Sequence, residues 1–210
     1  MTDPTRILLV DDHAVVREGY RRLLEEEPSI RVVGEASNGT QACERARSLS
    51  PDVVVMDIAL PGTSGIEATR RMLKDQPHLR ILMFSMHDDA IYASRALEAG
   101  ALGYLSKASA PEVLVQAIYA VSRGERYLSP DVAANMALSS TQPGRAEIET
   151  LSPREFEVLR LLAQGETVRS ISEKLGLSEK TVANRQSVIR EKLGAKNSAQ
   201  LARLIERLIR

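Results

Sequence analysis

The feature that most constrains this chain is a rhythm. Within residues 6–124, short apolar runs at 7–10, 30–33, 53–56, 81–84 and 103–105 alternate with amphipathic stretches at 15–26, 40–49, 66–73, 90–99 and 111–122. The runs are continuously apolar, not apolar at every second residue, which predicts strands buried on both faces. Strand and helix alternating in this way predict an α/β fold: a five-stranded, doubly wound parallel sheet. In such sheets ligands bind beyond the carboxyl ends of the strands. Asp11, Asp12, Asp57, Ser85 and Lys107 all stand at or just past those ends.

These five side chains have a common chemistry. Asp57 is followed by Ile58-Ala59-Leu60-Pro61-Gly62, a turn that holds its carboxylate at a loop tip as a candidate nucleophile. An incoming phosphoryl group is repelled by that carboxylate unless cations screen it. Asp11 and Asp12, with Asp57 itself and the backbone carbonyl of Ala59, suit Mg²⁺, which prefers oxygen ligands and keeps several waters. Lys107 would pair with one phosphoryl oxygen and the Ser85 hydroxyl with another. Taken singly, an aspartate after a strand is a turn residue, a double aspartate a solvated loop, and a lysine after a strand plain surface. Their joint order favours the site.

The rhythm stops after residue 124. Ser129-Pro130-Asp131 opens a short helix reaching about Leu138, and Ser139-Ser140-Thr141-Gln142-Pro143-Gly144 reads as a linker. The expected division is 1–124, a linker with a short helix at 125–150, and a helical domain at 151–210. That last part is marked by its starts and stops. Ser152-Pro153-Arg154-Glu155 is a capping-box start ended by Gly165, Thr167 opens a helix closed by Gly176, Ser178 opens one that stops at Gly194, and Ser198 opens the last. Two helices separated by Gly176-Leu177-Ser178, the second longer and basic, make a helix-turn-helix unit within four helices.

Charge supports different partners for the two halves. The formal net charge is +0, but residues 151–210 carry 12 Lys and Arg against 7 Glu, leaving −5 on residues 1–150. A cation or phosphoryl site is expected on the acidic side and a polyanion on the basic side, where a helix-turn-helix makes double-stranded DNA the candidate. Val182, Ile189 and Leu193 should face inward. Lys180, Ala183, Asn184, Ser187 and Arg190 then face outward, with Arg185 and Gln186 flanking. The DNA-contacting set is Lys180, Thr181, Ala183, Asn184, Arg185, Ser187, Arg190 and Lys192, of which Lys180, Arg190 and Lys192 mostly neutralise phosphates. The stripe Leu201, Leu204, Ile205, Leu208 and Ile209 either closes the helical core or forms a subunit contact. The single cysteine, Cys43, excludes a disulfide framework, and no membrane-length apolar run or export signal is present, so a cytoplasmic protein is expected.

Residues 6–124 resemble the receiver domains of two-component response regulators, through Val10-Asp11-Asp12-His13, Asp57 with Leu60-Pro61-Gly62 and Gly65, Ser85, Ala99-Gly100-Ala101 and Tyr104-Leu105-Ser106-Lys107. Residues 151–193 are similar to LuxR-type helix-turn-helix domains, through Leu151-Ser152-Pro153-Arg154-Glu155, Val158-Leu159, Gly165, Ile171, Leu175, Leu177-Ser178, Lys180-Thr181-Val182 and Lys192-Leu193-Gly194. Together these identify the chain as a member of the NarL/FixJ family of response regulators.

The resemblance implies that a sensor histidine kinase phosphorylates Asp57, that Asp11 and Asp12 bind Mg²⁺, and that Lys107 and Ser85 sense the phosphate. It implies that Tyr104 is the aromatic that switches, the alternative being a half-buried edge residue with no such role. It also implies a homodimer when phosphorylated, reading two half-sites about one DNA turn apart. Departures are serine at 85 where threonine is frequent, Ala108 where many relatives have proline, Ala183 in place of a long polar side chain, and no asparagine near Val168. A phosphohydrolase with an aspartate nucleophile is the competing class. Such enzymes carry an acid two residues on, where this chain has Ala59, so a regulator and not an enzyme is expected.

Overall fold

A computed structural model describes residues 3–86, 90–139, 148 and 150–208, with backbone alone at 139, 153, 198 and 205–208. The chain divides into two compact units, Met1–Ala137 and Leu138–Arg210.

The first unit runs β1 (Thr5–Val10), α1 (Ala14–Glu25), β2 (Ile30–Ala36), α2 (Gly39–Leu49), β3 (Val53–Met56), α3 (Gly65–Asp75), β4 (Arg80–Ser85), α4 (Ala90–Glu98), β5 (Gly103–Ser106), α5 (Pro111–Ser122), β6 (Tyr127–Leu128) and α6 (Pro130–Ser139). The strands form one parallel sheet in the order β2-β1-β3-β4-β5-β6. Ile7, Leu9, Val53, Val55, Leu82, Phe84 and Leu105 pack on one face with Leu24 of α1 and Leu114, Ala117, Ile118 and Val121 of α5. The alternate residues Leu8, Val54, Met56, Ile81 and Met83 are equally buried. Covering both faces is why the strand runs are continuous in the sequence.

The sheet has six strands where five were expected. Tyr127–Leu128 pairs in parallel with β5, Gly103 opposite Tyr127 and Tyr104 opposite Leu128. Two residues carry no readable period, so this strand left no signal in the sequence. The stretch expected as a linker therefore contains β6 and the anticipated short helix, α6. Linker residues 140–144 lie outside the described residues.

Strand order reverses between β1 and β3, and in such sheets ligands bind at that point, beyond the carboxyl ends of the strands. Asp11 and Asp57 each follow one of those two strands. The loop after Asp57 is folded back tightly: Gly65 N–H donates to the Ile58 carbonyl at 3.0 Å. A Cβ on Gly65 would lie 1.9 Å from the Asp57 carbonyl oxygen, so only glycine lets α3 begin there.

The second unit contains α7 (Pro153–Ala163), α8 (Val168–Leu175), α9 (Glu179–Lys192) and α10 (Ser198–Leu208). The Ser152–Glu155 capping box is complete, and Thr167 and Ser178 accept hydrogen bonds from the backbone N–H of Ser170 and Thr181. Gly176 closes α8 at φ 62°, a left-handed conformation that glycine adopts without strain. One cap differs from expectation. Asn197, not Ser198, accepts the Gln200 N–H, at 2.8 Å, and the helix begins one residue earlier. Asparagine caps as well as serine does, and sequence alone did not separate the neighbours.

Candidate functional site

Asp11, Asp57 and Lys107 meet at the strand ends because backbone hydrogen bonds carry the sheet one residue further at each. Asp11 N–H donates to Ala36 O at 3.1 Å, Asp57 N–H to Val10 O at 2.9 Å, and Lys107 N–H to Ser85 O at 2.8 Å. Their side chains then converge. The Lys107 ammonium donates to Asp57 Oδ2 at 2.6 Å and to Asp11 Oδ2 at 2.5 Å, with all three side chains less than one-tenth exposed. Burial pushes the lysine toward neutrality. The Asp57 charge and hydrogen bonds to both carboxylates outweigh it and hold the Lys107 pKa above the ordinary lysine value.

The other oxygens are also directed. Asp57 Oδ1 accepts the Ala59 N–H at 3.3 Å, and Asp11 Oδ1 accepts the His13 N–H at 2.8 Å. Asp12 is half-buried, with His13 Nδ1 2.8 Å from its Oδ1. One ligand atom each from Asp11, Asp12 and His13 falls within 4.8 Å of the others. Two carboxylates share one ammonium and a third, Asp12, lies beside Asp11, which leaves negative charge in excess, and carboxylate oxygens are the donors a hard divalent cation prefers. The residues present fit Mg²⁺.

Ser85 and Tyr104 are fully buried, and Ser85 is the last residue of β4. Phe84 and Leu105 face α1 and α5, so alternation puts Ser85 and Tyr104 together on the opposite face. Tyr104 lies opposite Met83 on one side and Leu128 on the other. It is therefore neither half-buried nor on an edge strand. Arg17 and Glu35, which brace the acid pair, were not among the sequence candidates. Their contact joins residues 18 apart on different elements, which no local pattern reveals.

In the second unit Val182, Ile189 and Leu193 are buried as expected, while Lys180, Ala183, Asn184 and Ser187 are exposed. Thr181, Arg185 and Arg190 are half-buried, and Arg190 Nη2 donates to Ser187 Oγ at 3.0 Å. Lys192 is engaged elsewhere. Its ammonium donates to Glu155 Oε2 at 2.7 Å and to Thr150 O at 3.2 Å, tying the end of α9 to the start of α7. Leu201 of the last stripe is buried and Leu204 half-buried; the side chains of Ile205, Leu208 and Ile209 lie outside the described residues.

Residues 7–119 match the response regulator receiver domain, and residues 149–205 match the luxR family of bacterial regulatory proteins. The chain belongs to the NarL/FixJ family of response regulators. This response regulator is 41% identical over 200 residues to the response regulator UvrY of Escherichia coli, covering 94% of this chain and 92% of that one. It is 40% identical over 204 residues to the response regulator GacA of Pseudomonas aeruginosa, covering 96% and 95%. Among solved structures it is similar to RcsB from Salmonella enterica serovar Typhimurium bound to promoter rprA with the phosphomimetic BeF3⁻. That match has a TM-score of 0.69 at 28% identity, over 97% of this chain and 99% of that one. The response regulator thus joins a receiver to a LuxR-type DNA-binding domain. No helix among its described residues is long and apolar enough to cross a membrane.

Proposed function

We propose that a sensor histidine kinase phosphorylates Asp57 and that the modified receiver controls DNA binding by the four-helix domain, and through it transcription. The observation that carries this reading is the Lys107 ammonium held between Asp57 and Asp11 at the sheet's switch point. An Asp57 oxygen attacks the phosphorus of the kinase phosphohistidine; the P–O bond forms, the P–N bond breaks, and the imidazole leaves with the electron pair. Asp11, Asp12, Asp57 and the Ala59 carbonyl would hold Mg²⁺, which would supply neutralisation of the phosphoryl oxygens. Lys107 transfers its hydrogen bond from Asp57 to a phosphoryl oxygen, and Ser85 donates its hydroxyl to another. Movement of Ser85 changes the packing beside Tyr104 on the same face, which is how the receiver population shifts.

On the DNA side, the amino-terminal half of α9 enters the major groove. Asn184 and Ser187 reach base edges, flanked by Thr181, Ala183 and Arg185, while Lys180 and Arg190 neutralise phosphates. Lys192 holds α9 against Glu155 and contributes to phosphate binding only from that pair. The RcsB structures with promoter DNA, and with two RcsB dimers on two parallel DNAs, support a DNA-bound homodimer for this relative. A DNA target implies a cytoplasmic site of action. Ala59, two residues after Asp57, supplies no acid for a leaving group, which favours a regulator over a phosphohydrolase.

The test is the dissociation constant for operator fragments selected by the phosphorylated protein. Treatment with a small phosphodonor and Mg²⁺ tightens wild-type binding about tenfold, and Asp57→Asn does not respond. Equal wild-type affinity with and without the phosphodonor contradicts the reading.

A further inference from the structure

Asp11 is held by four different parts of the fold. Its N–H is bonded to the end of β2 through Ala36 O, its Oδ1 to the His13 N–H, and its Oδ2 to Lys107. The fourth contact comes from outside the cluster. Arg17, in the first turn of α1, donates Nη1 to the Asp11 carbonyl at 2.6 Å and Nε to Glu35 Oε2 on β2 at 2.6 Å. Arg17 and Glu35 side chains are mostly buried, 16% and 27% exposed, and Arg21 one turn later reaches Glu35 Oε1 at 3.5 Å. One planar guanidinium therefore fixes the loop carrying Asp11 and Asp12 to both α1 and β2, with its two arms set at a fixed angle.

We propose that Arg17, anchored by Glu35, is a positioning residue for the Mg²⁺ site: it sets the Asp11–Asp12 loop and thereby the affinity for the cation. This deepens the proposed function and rests on Asp11 and Asp12 being the cation ligands. Arg17 itself touches neither the cation position nor Asp57. Outer partners that orient ligands change metal affinity 10- to 100-fold when removed. The sign separates positioning from bare charge. Deleting a nearby positive charge would by Coulomb's law alone tighten cation binding, and Glu35 already neutralises most of that charge. Loss of positioning weakens it.

The experiment is Mg²⁺ titration calorimetry on the full chain, with thermal unfolding in a chelator measured alongside. Arg17→Ala raises the Mg²⁺ dissociation constant on the order of tenfold, against the direction that charge removal alone gives; Glu35→Gln raises it through loss of the anchor and of a negative charge together, so the sign decides in Arg17→Ala. Arg17→Lys recovers only part, since a point-like ammonium does not reproduce the two-armed contact. Arg22→Ala, which removes an exposed pair with Glu18, leaves the constant unchanged. Labelling of Asp57 by a phosphodonor falls in Arg17→Ala at limiting Mg²⁺ and returns to the wild-type rate at saturation. An unchanged or tighter constant in Arg17→Ala, with only the unfolding temperature lowered, overturns the proposal. Should Arg17→Ala fail to fold, Arg17→Gln takes its place, and an unchanged or tighter constant there overturns the proposal equally. Absence of Mg²⁺ binding by wild type overturns both this inference and the cation assignment beneath it, whereas wild-type binding with an unaltered variant overturns the inference alone.

Discussion

Lys107 sits between two carboxylates that are each about one-twentieth exposed, and removing its charge leaves them facing one another. Lys107→Met keeps most of the stem and deletes the ammonium. We expect a loss of about 3 kcal/mol in magnesium-free buffer, read by urea denaturation, and partial recovery on adding Mg²⁺. The pH dependence follows from the direction of the shift. With its folded pKa raised above the ordinary 10.5, Lys107 contributes fully below that value, and the contribution is lost as pH climbs through the folded pKa. The stability gap between wild type and Lys107→Met is therefore constant from about pH 7 to about pH 9 and closes only in stronger alkali. At this scale the sequence was legible where chemistry terminates an apolar run: Asp11, Asp57, Ser85 and Lys107 each mark a strand end. The Arg17–Glu35 clamp was not, because a contact between α1 and β2 leaves no trace in local spacing.

Elements hold these side chains in place, and two substitutions test how. Gly65→Ala drives a Cβ into the Asp57 carbonyl, backbone that is not free to yield. A loss of about 2–4 kcal/mol is expected, from local backbone displacement, together with slower labelling of Asp57; unfolding curves and labelling rates check both. In the helical unit, burial raises the Glu155 pKa but hydrogen bonds from Lys192 and from the Ser152 N–H bring it below the ordinary value. A depressed folded pKa means stability present above about pH 4.5 and lost as pH falls through the folded value. Glu155→Gln, which keeps a capping side chain, should cost about 1 kcal/mol at neutral pH, and the difference should vanish in acid. The capping-box start was readable because its residues are three apart. That Lys192 pairs with Glu155 from 37 residues away was not, so a residue expected on phosphate also braces the fold. Strand β6 escaped for a related reason: it is defined by pairing with β5 and has no period of its own.

Across the whole molecule, a −5 half carries the acid cluster and a +5 half carries the basic helix α9. Under the proposed function the two charges serve opposite ends of one signal, a cation and phosphoryl group on the receiver and a polyanion on the DNA-binding domain. Rhythm and charge together suggest a division at 124 and 151; the receiver match covers residues 7–119 and the luxR match residues 149–205, while the compact units divide between Ala137 and Leu138. The account depends on Asp57 accepting a phosphoryl group with Asp11, Asp12 and Lys107 around it. Mass analysis of the full chain after incubation with a small phosphodonor, followed by peptide mapping, tests this most directly. Wild type should gain one phosphoryl group on Asp57 only when Mg²⁺ is present, and Asp57→Asn should gain none; label mapped to another residue, or equal labelling of the two proteins, contradicts the account.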